Sequence, residues 1–114
     1  MRMEQEIDQA LIEKKKEDIK KDIQNNRVVL YMKGNKMAPM CGFSAQVAQV
    51  LLNMGIDFET RDILQDEVLR SAIKDFSDWP TLPQLYIDGE FVGGCDIITE
   101  LYENGELKTL LKVS

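Results

Sequence analysis

The sequence predicts an α/β domain built on a four-stranded mixed sheet with helices on both faces. Three observations carry that prediction. Val28-Val29-Leu30-Tyr31-Met32 is a short, continuous apolar run with β-branched residues, which reads as a strand buried on both faces. Segments with helical apolar spacing alternate with strand-like runs along the chain. Asp88-Gly89 joins two strand-like runs and is a strong two-residue hairpin signal.

The elements follow in order. Ile7, Leu11, Ile19 and Ile23 recur at helical spacing among charged residues, but the stripe lapses at Lys15. The spacing predicts a domain helix over about 18–24. Residues 1–16 then form an extension, helical and loosely attached, and the domain spans 17–114. Asn25-Asn26 is a helix stop. Lys33 to Met40, with Gly34, Asn35 and Pro39, reads as a loop. From Phe43 to Asn53 the pattern is helical through Val47, Val50, Leu51 and Met54, and Gly55 stands at the C-terminal cap. Phe58 to Ile63 alternates like a strand, and Asp66 to Phe76 reads as a second internal helix. Residues 84–87 and 90–93 form the hairpin strands. Asp96 to Tyr102 and Glu106 to Val113 close the chain as helix, interrupted at Asn104-Gly105. The first two strands are joined through a helix, so they should run parallel by a right-handed crossover. The chain shows no internal repeat, and its 114 residues fit one domain.

Composition narrows the function. Net charge is −6, from 14 basic and 20 acidic residues, which argues against nucleic acid as a partner because phosphate binding needs a basic face. Lys14-Lys15-Lys16 is flanked by Glu13, Glu17 and Asp18 and reads as a solvated helix surface. No apolar run approaches membrane-spanning length, so no membrane partner is expected. MRMEQEIDQ lacks the features of a signal or transit peptide. The expected location is a bacterial-type cytoplasm or, after processing, an organelle matrix. Two distant cysteines suit a reducing compartment. With no histidine, Ser-His-Asp and Cys-His hydrolysis, histidine-ligated zinc and a histidine base are all excluded.

What remains is thiol chemistry, carboxylate chemistry or plain binding. Cys41 follows a strand and loop and opens a helix, where partial positive charge and free N–H groups favour thiolate. Lys33 can add a full positive charge, and Gly42 leaves the sulfur uncrowded. The alternative is a small apolar residue used in packing. Three residues on stands Ser44, where a dithiol motif has its second cysteine. Without an internal disulfide, Cys41 must be resolved by an outside thiol or serve as a metal ligand. Ser44 otherwise reads as an ordinary first-turn residue.

Thr81 to Tyr86 contains Leu82-Pro83 just before a strand. A cis bond there would be purposeful, and it leaves the backbone of Leu82 free for an extended peptide; an ordinary strand entry stands beside that reading. Gly93-Gly94 permits close approach, and Asp96 is a natural N-cap, so this turn is an anion-binding geometry. Cys95 reads as a half-buried structural cysteine, Trp79 as packing, and Arg70 taken alone as a solvated charge.

Four motifs in order resemble those of monothiol glutaredoxins of the single-domain CGFS class. They are Tyr31-Met32-Lys33-Gly34, Cys41-Gly42-Phe43-Ser44-Ala45-Gln46, Trp79-Pro80-Thr81-Leu82-Pro83-Gln84 and Val92-Gly93-Gly94-Cys95-Asp96-Ile97. The resemblance covers Asp18 to Lys112. It implies a thioredoxin fold and glutathione as ligand. Glutathione sulfur then lies beside Cys41, the backbone of Leu82 pairs with the cysteinyl part, and Lys33 and Arg70 hold the glycine carboxylate. The Cys95-Asp96 turn holds the γ-glutamyl end. The resemblance further implies a [2Fe–2S] cluster bridging a homodimer, with two Cys41 thiolates and two glutathiones as its ligands. BolA-type proteins and iron–sulfur acceptor proteins are the implied partners. The resulting expectation is cluster transfer in iron–sulfur biogenesis and thiol redox homeostasis. Reduction of protein–glutathione mixed disulfides, and an adaptor whose cysteine is incidental, are the alternatives.

Overall fold

The computed structural model describes residues 8–113. Its first element is α1, Gln9–Asn25, capped by the Asp8 carboxylate, which accepts from the Ala10 N–H. The helix runs unbroken across position 16, so it is far longer than the expected 18–24. The apolar stripe lapses at Lys15 because ion pairs replace it. Lys15 reaches Asp66 at 3.1 Å and Lys16 reaches Asp75 at 2.9 Å, both on the neighbouring helix side. Two of the three consecutive lysines therefore pair across elements rather than only facing solvent, and residues 9–16 are held to the body. Ile12 packs beside buried Ile19 and Ile23 on the same helix. Ile7 and the rest of 1–7 lie outside the described residues.

The strand β1, Val28–Met32, is buried at every position. Side chains alternate across a strand. Val28, Leu30 and Met32 join one core cluster, and Val29 and Tyr31 the other. Next, β2 (Gly34–Asn35) and β3 (Ala38–Pro39) pair antiparallel, so the expected loop is a small hairpin. Asn35 closes it, its Oδ1 accepting from the Met37 and Ala38 N–H groups. The helix α2 spans Gly42–Asn53.

The strand β4 spans only Glu59–Asp62. Phe58 precedes it, and Ile63 opens a 3₁₀ turn, Ile63–Gln65, that the alternation pattern did not reveal. The α3 helix is Glu67–Ser77, with the Asp66 carboxylate capping it at the Leu69 N–H. The hairpin strands β5, Gln84–Ile87, and β6, Glu90–Gly93, lie where the Asp88-Gly89 signal put them. The chain closes with α4, Cys95–Glu103, and α5, Glu106–Leu111. Gly94, not Asp96, is the N-cap of α4; Asp96 sits in its first turn.

The main sheet has the order β4-β1-β5-β6. β1 and β4 are parallel, and β5 is antiparallel to both β1 and β6. One face packs Val47, Ala48, Leu51, Ile98, Leu107 and Leu111 of α2, α4 and α5. The other packs α1 and α3 through Ile19, Ile23, Ala72 and Ile73. Beside this second core, Arg61 and the Tyr31 hydroxyl both donate to the Asp22 carboxylate, at 2.7–3.0 Å. No helix among the described residues is long and apolar enough to cross a membrane. The end of β1, the start of β5, and the starts of α2 and α4 meet at one end of the sheet.

Candidate functional site

That end of the molecule carries an open cleft of about 400 Å³. All six residues singled out from the sequence line it: Lys33, Cys41, Arg70, Leu82, Cys95 and Asp96. Lys33 leaves β1, Cys41 is the N-cap of α2, Arg70 lies on α3, and Cys95 and Asp96 open α4.

The two cysteines share the cleft and are both free, yet their surroundings push them in opposite directions. The Cys41 thiol is held below its ordinary range, foremost by the Ser44 backbone N–H, then by the Phe43 N–H, the Lys33 ammonium and the Ser44 hydroxyl; partial burial opposes them. Burial pushes the Cys95 thiol up, and the negative charge of Asp96 adds to it, against a hydrogen bond from Thr99. Thr99 in turn accepts from Gln46 Nε2 at 2.8 Å, which ties the starts of α2 and α4 together. Among the described residues no group of three or more His, Cys, Asp or Glu is placed to hold a metal ion.

Ser44 is more than a missing cysteine. It is fully buried, and its Oγ accepts the Lys33 N–H at 3.1 Å. One hydroxyl thus joins the strand that carries the cation to the helix that carries the thiol. Gly42, by contrast, has nothing within 4 Å of where a Cβ would stand, so close packing within the chain does not require it.

The segment 79–83 forms another part of the cleft wall. Leu82-Pro83 is a cis peptide bond. The N–H and C=O of Leu82 take part in no hydrogen bond among the described residues. Gln84 is buried and shapes the segment, its Nε2 donating to the Trp79 and Thr81 carbonyls at 3.1 and 3.2 Å. Its Oε1 accepts from the Tyr86 hydroxyl at 3.1 Å. The Gly93-Gly94 turn closes the cleft: a Cβ on Gly93 would stand 2.8 Å from Ile97, and one on Gly94 would stand 3.2 Å from the Pro83 carbonyl.

A model of the glutaredoxin family matches residues 28–92, more than half of the chain. The probable monothiol glutaredoxin 2 of Rickettsia felis is 56% identical over 84% of this chain and 92% of its own length. The chain belongs to the glutaredoxin family. A monothiol glutaredoxin of Synechocystis sp., described as ycf64-like, is 55% identical over 78% of this chain and 83% of its own length. Cys41-Gly42-Phe43-Ser44 makes this glutaredoxin a monothiol member. The solution structure of reduced poplar apo GrxS14 superposes with a TM-score of 0.79 at 48% identity, covering 90% of this chain and 94% of that one. A buckwheat glutaredoxin–glutathione complex, 20% identical, superposes at 0.83 over 93% and 94% of the two chains and shares the fold. The thioredoxin fold expected from the resemblance is thus the fold of this glutaredoxin.

Sequence reasoning missed two features of the cleft. Lys74 is a third cation on its wall, one turn beyond Arg70 on α3. The i, i+4 spacing was the available signal, since it puts both on one helix face. Trp79 does pack, its ring 5.7 Å from Phe91, but it also lines the cleft and is partly exposed.

Proposed function

We propose that this glutaredoxin binds glutathione in the cleft and uses it, with Cys41, to carry a [2Fe–2S] cluster between proteins. The observation that carries the reading is the asymmetry of the two cysteines. One cleft holds one thiol poised to ionise and one held protonated. A cluster of this type takes four thiolates. One chain offers one, so the others come from outside: a second chain, and a glutathione on each.

The cleft suits a peptide with an anion at each end. Lys33, Arg70 and Lys74 line it together and match the glycine carboxylate. The start of α4 presents backbone N–H groups for the γ-glutamyl carboxylate, with Asp96 beside them for its amine. The free backbone of Leu82 matches the cysteinyl residue between them. Glutaredoxins use glutathione, and the buckwheat relative of the same fold is a glutathione complex. Met40 and Phe43, which flank Cys41-Gly42 in the chain, stand 68% and 62% exposed, and Met37, in the turn of the β2–β3 hairpin, 85%. Such an apolar rim fits a face that closes against another protein. A second copy of the chain, a BolA-type protein and iron–sulfur acceptor proteins are the occupants this reading assigns to it. Half the cluster ligands are then exchangeable, which suits release.

Anaerobic reconstitution with iron, sulfide and glutathione tests the proposal. A coloured dimer is expected, with colour and dimer both lost in Cys41→Ser and both kept in Cys95→Ser. A colourless monomer that rapidly reduces mixed disulfides overturns it in favour of a reductase.

A further inference from the structure

The cation and the thiol of the site sit at the two ends of one short segment, 33–41, so whatever fixes that segment fixes their relation. We infer that Asp62, outside the cleft at the end of β4, is the positioning residue that holds Lys33 and Cys41 in their working arrangement.

Asp62 lies beside Met32 in the parallel β1–β4 register, at the point where the chain leaves the sheet. Its Oδ1 accepts the Gly34 N–H at 2.9 Å and the Leu64 N–H at 2.9 Å. The peptide before Lys33 is held through its N–H by Ser44 Oγ at 3.1 Å. The peptide after Lys33 is held through the Gly34 N–H by Asp62, and its carbonyl, that of Lys33, accepts from Met40 at 2.9 Å. Lys33 is thus gripped on both sides, and Met40, the neighbour of Cys41, is tied to the same point.

The segment beyond is stiff in itself. Gly34 has φ +86°, and a Cβ there would stand 2.4 Å from the Ala38 carbonyl oxygen and 2.7 Å from the Met40 nitrogen. Only glycine lets the hairpin close this tightly. A stiff hairpin moves as a unit, so its attachments decide where it points. Besides its chain ends, the segment is attached to the body by Ser44 and Asp62 at the backbone and by the Lys36 side chain, which donates to the Phe58 carbonyl. Lys36 is a flexible tether. Asp62 is the backbone anchor on the β4 side. Without its acceptor the Lys33–Gly34 peptide keeps only its bond to Met40, inside the hairpin, so the hairpin tilts as a unit on the β4 side, which re-aims the ammonium and shifts the end that carries Cys41.

The test uses the reduced, ligand-free chain. The rate of Cys41 alkylation by iodoacetamide is followed against pH by peptide mass spectrometry for Asp62→Ala, Asp62→Asn and Asp66→Ala. Asp62→Ala is expected to move the midpoint up and to slow alkylation at neutral pH by at least about threefold, the equivalent of half a pKa unit. Asp62→Asn keeps an acceptor oxygen and is expected to leave the midpoint at the native value or slightly below it. Loss of negative charge, common to both, acts the other way, toward thiolate, so it cannot mimic the expected result. Asp66→Ala removes a comparable cap, at Leu69 N–H, and is expected to lower stability without moving the profile. An Asp62→Ala profile that superposes on the native one overturns the inference. So does an equal shift in Asp66→Ala, or an Asp62→Asn profile that follows Asp62→Ala. A weaker glutathione affinity in Asp62→Ala is also expected, and that readout rests on the function proposed above. The alkylation profile needs neither glutathione nor cluster, so the two can fail separately.

Discussion

Replacing Ser44 by alanine separates what holds the site together from what activates it. The change removes the Oγ that accepts the Lys33 N–H at 3.1 Å, in a side chain with no solvent exposure. No water can readily take its place, so the N–H is left unpaired. An unsatisfied donor of this kind costs about 1–3 kcal/mol. The Lys33 end of the bond is only part-buried, which puts the loss in the lower half, about 1–2 kcal/mol. For a domain of this size that is a fall in Tm of roughly 4–12 °C. The thiol should respond less. The largest influence lowering it is the backbone N–H of residue 44, which alanine keeps, as it keeps Phe43 N–H and Lys33. Thermal unfolding and the pH profile of Cys41 alkylation read the two effects separately. The account predicts a clear loss of Tm with a thiol midpoint that rises but stays below the ordinary 9.0. An unchanged Tm, or a midpoint fully restored to the ordinary value, would refute the reasoning.

Further predictions follow from the same geometry. At neutral pH, brief alkylation of the folded chain should label Cys41 and leave Cys95 largely unmodified, as peptide mapping will show, because burial keeps the second thiol protonated. Lys33→Ala should weaken glutathione binding by about tenfold, or ~1.4 kcal/mol, in calorimetric titration. Arg70→Ala should cost less, and its effect should fade with added salt, because its exposed charge is screened. Burial and Asp22 push the Tyr31 phenol well above its ordinary 10.0, and burial does the same for Tyr86. Both groups ionise more readily unfolded, so stability is full below pH 10 and falls as pH rises beyond it. Urea midpoints measured from pH 8 to 12 should show that decline, and Tyr31→Phe should reduce its slope.

The parts of the fold legible in the sequence were those set by local periodicity. Val28 to Met32 reads as a doubly buried strand because both its faces are apolar, and Asp88-Gly89 marks its hairpin because few residues tolerate that turn. What escaped depends on contacts between distant segments. The length of α1 was hidden because Lys15 and Lys16 find Asp66 and Asp75, which no helical pattern reveals. The hairpin within 33–40 is too short for any period to register. Within the site, residue types and motif order brought out six cleft-lining residues. The inward bond of Ser44 and the Asp62 anchor were invisible, because both are made to a backbone N–H whose place only the folded sheet defines.

The central claim is that one chain brings one thiolate and the rest of the cluster's ligands arrive from outside. Native mass spectrometry of the anaerobically loaded protein tests it most directly. The account predicts a single complex of two chains, one [2Fe–2S] cluster and two glutathiones, which disappears when Cys41 is replaced by serine. A cluster retained on one chain alone, or on a dimer without glutathione, would contradict it.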